Sequence, residues 1–270
     1  MKQPFKYIIV DFYRFSRNTF LMLSPVIILF SLLQPVVHEF INGEFDNALE
    51  MLDRTSGIGA MREIECAAYS IIASQVYLSE RKSGYTAEAV MRIGRQKYLS
   101  HCLLSASVCS VISALVAYML FISAALLRGL PLYPTNAEKL SEITVSGSNL
   151  LTGSHPGVIW IVTGSCFIIS STSWTLSALA VSACSNNSFL VVLSPVLLSF
   201  FLHAVMRLID TIHGNILLLS NIDYYYLGRG ITNIADPWAA MRMTTEWYLP
   251  IVILASIVFW CSASWRIRHG

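Results

Sequence analysis

The sequence predicts an all-α integral membrane protein: six transmembrane helices, an N-terminal interfacial elbow helix, and both termini on the cytoplasmic side. Three observations lead there. Hydrophobic residues make up 55% of the 270 and charged residues 13%, against roughly 25% charged in an ordinary soluble domain, and the mean hydropathy is +0.60. The apolar residues fall in uncharged runs long enough to cross a bilayer, whose hydrocarbon core of about 30 Å takes about 20 helical residues. Lys and Arg gather on one side of those runs. So little charge cannot cover a soluble surface, which excludes soluble enzymes, disordered chains and nucleic-acid binders.

Residues 1–19 place Phe5, Ile8, Ile9, Phe12 and Phe15 on one helical face, with Lys6, Asp11, Arg14 and Arg17 largely on the other. That pattern predicts a helix lying in the interface plane. No small-residue cleavage site follows Val37, so the first helix is expected to be retained rather than removed as a signal peptide. The first span covers residues 20–40, where Pro25 and Pro35 should bend it. The second covers 59–79 and carries Arg62, Glu63 and Glu65 at its headgroup end. The third, 102–127, is uncharged. Residues 158–206 contain no Asp, Glu, Lys or Arg, too long a stretch for one crossing. Its polar cluster at 184–188 predicts a tight turn between spans at 158–183 and 189–208, the latter with Pro195. The sixth span is 247–265, and the whole chain forms one transmembrane domain.

Orientation follows the positive-inside rule. With N- and C-termini inside, the segments 1–19, 79–101, 184–188 and 266–270 hold eleven basic residues and three acidic ones, a balance of +8. The remaining seven basic and thirteen acidic residues give −6, which recovers the formal net charge of +2. Outside, residues 128–157 form a solvated excursion. Segment 209–246 is extracellular, and its Tyr224, Tyr225, Tyr226 and Trp238 suggest interface anchoring by two short half-inserted helices. Arg207 and Asp210 stand at i, i+3 and can pair. The six cysteines lie in or at the ends of apolar runs without a CxxC pair, so they read as small buried hydrophobes rather than disulfide or zinc ligands.

The inside loop at 80–100 is richer than a chain reversal requires. Thr86 can cap a helix and Glu88 suits its first turn. Ala87, Val90 and Met91 offer a small apolar face ringed by Arg92, Arg95 and Lys97. An apolar patch with a charged rim predicts a docking surface. This layout resembles the permease subunits of ABC-2 type (type V) ABC transporters, which have an elbow helix, six spans and a coupling helix after the second span. The local match is Glu80-Arg81-Lys82-Ser83-Gly84 followed by Arg95-Gln96-Lys97. Tyr85 stands where the family has Thr, and Gly94 lies near the place of its usual Pro.

The resemblance implies an exporter subunit in a bacterial cell membrane, moving a peptide, lipid or drug-like cargo by alternating access. Its partners would be separate ABC ATPase subunits and a second permease copy, identical or related, within the lipid bilayer. The chain has no G-x-x-x-x-G-K-[ST] phosphate loop, so ATP and magnesium are expected on the ATPase and no cofactor on this chain. The coupling residues implied are Glu80, Arg81, Gly84, Thr86, Glu88, Met91, Arg92 and Arg95. Ser24, Gln34, Ser70, Ser74, Ser194 and Ser199 are candidates for the cargo-facing wall, although serines on such helices also serve close packing. Two rival classes stand beside this reading. An ion-coupled secondary transporter would want a buried carboxylate at midspan, and none is apparent. An intramembrane enzyme would want H-E-x-x-H, a paired Glu-Glu or G-x-S-x-G, and none occurs. No catalytic or metal-ligating residue is expected; His203, Arg207, Asp210 and His213 form only a polar stripe.

Overall fold

The computed structural model describes residues 19–56, 62–73, 77–132, 156–213 and 237–269. The elbow helix, Ser74 and residues 214–236 lie outside that set. Among the described residues all regular structure is helical. Helix α1 is Thr19–Leu33; at Gln34–Val36 it tightens to a 3-10 turn because Pro35 cannot donate to an α-helical ladder, and α2, Val37–Asn42, resumes beyond. Pro25 sits inside α1 without ending it.

Helix α3, Ala48–Ser56, is an element the sequence reading did not anticipate. Asn47 caps it, accepting the Glu50 backbone N–H at 2.8 Å, and Phe45, Ala48, Leu49 and Met51 are buried beneath it. The Ala48 N–H donates to the Pro131 carbonyl at 2.9 Å and Arg128 donates to the Ile41 carbonyl at 2.6 Å. One end of the molecule is thus closed by residues distant in sequence. Helix α4 is Arg62–Ala73, and α5 (Ser79–Lys82) and α6 (Tyr85–Ile93) form the hairpin at the opposite end.

Helix α7 spans Arg95–Leu127, α8 Pro156–Cys184, α9 Ser188–His213 and α10 Pro237–His269. The third predicted span therefore begins seven residues early, since Gly94, not a run of loop residues, separates it from α6. The last helix begins at Pro237, so residues 237–246 belong to its first turns rather than to a half-inserted helix. The turn between α8 and α9 falls at 185–187, where the polar cluster predicted it.

Three of these helices are long and apolar enough to cross a membrane: Arg95–Leu127, Trp160–Cys184 and Thr244–Arg268. Leu23–Leu33 and Ser188–Leu202 are shorter apolar helices. Helix α8 is central, packing against α10, α7, α4 and α9; 78% of its apolar stretch is buried, against 22% for α10. Many of its buried positions are small, Ser170, Ser171, Ser173, Thr175, Ala178, Ala180 and Ser182 among them, beside the larger Phe167, Trp174 and Leu179. Small residues let helix backbones approach closely, and their hydroxyls bond within the bundle. Ser110 donates to Ser171 at 3.3 Å and Thr175 to Ser110 at 3.0 Å. The exterior is the reverse, with Val26, Phe30, Phe189, Phe201, Leu254 and Ile257 exposed. Water would oppose such a surface; hydrocarbon suits it.

Candidate functional site

The hairpin α5–α6 is held by two glycines and one buried carboxylate. Gly84 (φ +77) reverses the chain between Lys82 and Tyr85, and Gly94 (φ +83) separates α6 from α7. Side chains rarely adopt either conformation, because a Cβ meets the neighbouring carbonyl there. Gly84 is itself the residue preceding α6. The predicted cap Thr86 is instead buried in the first turn, its hydroxyl 3.3 Å from that of Tyr98.

Tyr98 also donates to Glu80 Oε2 at 2.7 Å. Both are buried, Tyr98 to 3% exposure and Glu80 to 7%. Glu80, read from sequence as a partner-facing charge, therefore faces inward as an internal tether. A Tyr four residues into α7 was the missed half of it; apolar runs do not advertise a hydroxyl that must meet a carboxylate.

Arg81 likewise makes its contacts within the chain. Its guanidinium donates to the carbonyls of Ser182 (2.9 Å) and Ser185 (2.6 Å) and to Asn186 Oδ1, and it lies over the Tyr77 ring at 5.7 Å. These are the orphan carbonyls at the C-terminal end of α8, where a cation is favoured by both hydrogen bonding and the helix dipole. Arg266 from the end of α10 joins it, donating to Asn186 Oδ1 at 2.8 Å and to the Cys184 carbonyl. Lys82 donates to Ser188 Oγ at 2.7 Å. The hairpin, the α8–α9 turn and the end of α10 surround a cavity of about 880 Å³.

What faces outward is a smaller set. Met91 is 80% exposed; Ala87, Glu88 and Arg92 are exposed beside it, with Glu88 and Arg92 3.7 Å apart on one helix face. Arg95 is half-buried at the start of α7. Of the eight predicted coupling residues, Glu80, Arg81, Gly84 and Thr86 build the hairpin, and Glu88, Met91 and Arg92 form its surface.

Of the predicted cargo-facing residues that are described, Ser24, Ser70 and Ser194 bond within the helix bundle. Ser24 on α1 bonds Ser113 on α7, Ser70 on α4 donates to the Val192 carbonyl of α9 at 2.9 Å, and Ser194 bonds back to Val191 within α9. Ser199 is buried and Gln34 half-buried in its 3-10 turn. Ser24 and Ser70 pack helices against each other. The sequence reading also missed the burial of Glu65, which is 4% exposed and accepts from Ser31 Oγ at 2.9 Å. Its spacing with Tyr69 and Ile72, i, i+4 and i+7 on one helix, was the available signal. The side chains of Arg207 and Asp210 lie outside the described ones.

Comparison of the chain with protein-family models, curated proteins and solved structures returned no match.

Proposed function

We propose that this chain is the permease subunit of an ATP-driven exporter of ABC-2 type. It crosses the bilayer six times, with the α5–α6 hairpin, the α8–α9 turn and the end of α10 in the cytoplasm. A separate ATPase docks on α6, a second permease copy completes the pathway, and the cargo is a peptide, lipid or drug-like molecule. One observation carries the reading: an amphipathic helix with Met91 facing outward, in a hairpin braced against the membrane helices by a buried carboxylate and by arginine caps. A coupling element must be stiff to pass a nucleotide-driven closure on as rigid-body movement. A loop serving only to reverse the chain needs neither the brace nor the exposed Met91.

The test is purification of the tagged chain from its native membranes, with ATP hydrolysis and the co-purified subunits measured. Met91→Asp places a charge in the apolar contact and should reduce recovery of the ATPase at least tenfold while leaving the permease folded. Isolation of the chain without a nucleotide-hydrolysing subunit would refute the reading.

A second reading rests on Glu65. Buried ionisable groups within membrane helices serve proton or ion coupling, and Glu65 with Ser31 is such a group, lying near the start of α4 rather than at midspan. Ion-coupled transport predicts uptake or efflux that follows the proton gradient and is lost in Glu65→Gln, without dependence on ATP.

A further inference from the structure

The cavity beside the hairpin has chemistry that docking of an ATPase does not use. Its walls carry three cations, Arg81, Lys82 and Arg266. Among the described residues their hydrogen-bond acceptors are carbonyls, an amide and a hydroxyl, and none is a carboxylate. Glu80, adjacent in sequence, is turned away to Tyr98. Among the described residues, Lys82 directs one of its three ammonium donors to Ser188, and Arg266 directs two of its five to Asn186 and the Cys184 carbonyl, which leaves donors on both. Burial, and then the like charge of Arg266, hold the Arg81 guanidinium below its ordinary pKa, as expected of cations gathered without an anion.

Most of the remaining wall is apolar, with Thr86 and Asn186 also lining it. Val90 and Met91 contribute from α6, and Trp265 and Ile267 from α10. Trp265 is 63% exposed, one turn from the end of an apolar helix, the place tryptophan takes at a membrane interface. A pocket with cations on one side, hydrocarbon on the other and a tryptophan at headgroup level matches an amphiphile with an anionic head.

We infer that this cavity binds the phosphate of an anionic phospholipid, its headgroup against Lys82 and Arg266 and its acyl chains along Trp265 and Ile267. On the proposed orientation this is an inner-leaflet lipid. The inference requires only that this end of the bundle sits at a membrane surface, and holds whether or not an ATPase docks on α6. A bound lipid would cross-link the hairpin to the end of α10 and so set the pose of the docking helix.

Native mass spectrometry of the detergent-purified chain, titrated with phosphatidylglycerol and phosphatidylcholine of matched acyl chains, tests it. The wild type should retain phosphatidylglycerol in preference. Lys82→Gln should weaken that binding about fivefold, the equivalent of about 1 kcal/mol per basic residue at a headgroup surface. Arg266→Lys, which keeps the charge, should weaken it less than Arg266→Gln. Equal retention of the two lipids, or no effect of Lys82→Gln, would overturn the inference. Displacement of the lipid by millimolar inorganic phosphate would assign the site to free phosphate and overturn the lipid. ATPase recovery is not read in this experiment, so its failure is distinct from that of the exporter reading.

Discussion

The Glu80–Tyr98 tether can be weighed directly. Tyr98→Phe keeps the ring and its packing but removes the donor 2.7 Å from Glu80. A hydrogen bond to a charged group is worth about 1.5–3 kcal/mol, and leaving its buried partner short of a donor accounts for much of that. Glu80 has other interactions, which places the expected loss at the lower end, about 1.5–2 kcal/mol. For a chain of this size 1 kcal/mol shifts the melting temperature by about 2–4 °C, so Tyr98→Phe should lower it by roughly 3–8 °C. The same substitution in a Glu80→Gln background removes only a neutral hydrogen bond, about 0.5–1.5 kcal/mol, and should cost less. The assay is tryptophan-fluorescence thermal unfolding of the four proteins of this double-mutant cycle in one detergent. Equal losses in the two backgrounds would refute the tether, as would a shift below about 1 °C in the wild-type background.

Two further outcomes follow from the packing. Arg81→Gln should cost about 1–3 kcal/mol, because the terminal carbonyls of α8 lose their fork of donors. Arg81→Lys should recover less than half of the lost melting temperature, since an ammonium cannot span Ser182 and Ser185 together. Gly164→Ala should destabilise despite alanine's better helix propensity, worth about 1 kcal/mol. Its Cβ would lie 3.0 Å from the Tyr118 ring, which cannot yield while bonded to Thr163 at 2.6 Å and to the Trp160 carbonyl at 3.1 Å. Overpacking of this kind costs about 1–3 kcal/mol. The penalty, read as a loss of melting temperature, should shrink in a Tyr118→Phe background, where the ring is freed to tilt.

The helices themselves were legible because a long uncharged run has few other uses. The 184–188 turn was legible for the converse reason, as the only polar cluster in an apolar stretch. Helix α3 was not. It is a short helix whose buried Ala48, Leu49 and Met51 are spaced among Asn47, Glu50 and Asp53, and its cap is recognisable only once the chain direction is fixed. Boundaries moved where a single glycine or proline decided them: Gly94 starts α7 early and Pro237 starts α10 early. The site divided in the same manner. The amphipathic helix was readable from Ala87, Val90 and Met91, because local periodicity is a property of one segment, although Val90 packs half-buried against the core while Ala87 and Met91 are exposed. The inward turn of Glu80 and Arg81 was not readable, because their partners, Tyr98 and residues 182–186, lie 18 and about 100 residues away.

That division changes how a partner would recognise this chain. Charge counting assigns the basic residues of the hairpin collectively to a docking surface. In the folded chain Arg81 caps α8 and Glu80 ties down α7, so neither is free to meet another protein without loosening the hairpin. The groups left on the outward face are the Met91 side chain and the Glu88–Arg92 pair, and exposed pairs of that kind contribute little, about 0.2–1 kcal/mol. Docking on α6 should therefore depend on the shape of the apolar contact at Met91 more than on salt. Charge reversal at Arg92 should shift the salt dependence and the rate of association, whereas changes at Glu80 and Arg81 should act through the stability of the hairpin. A Glu80 variant that retained full thermal stability yet lost a partner would contradict this assignment of roles.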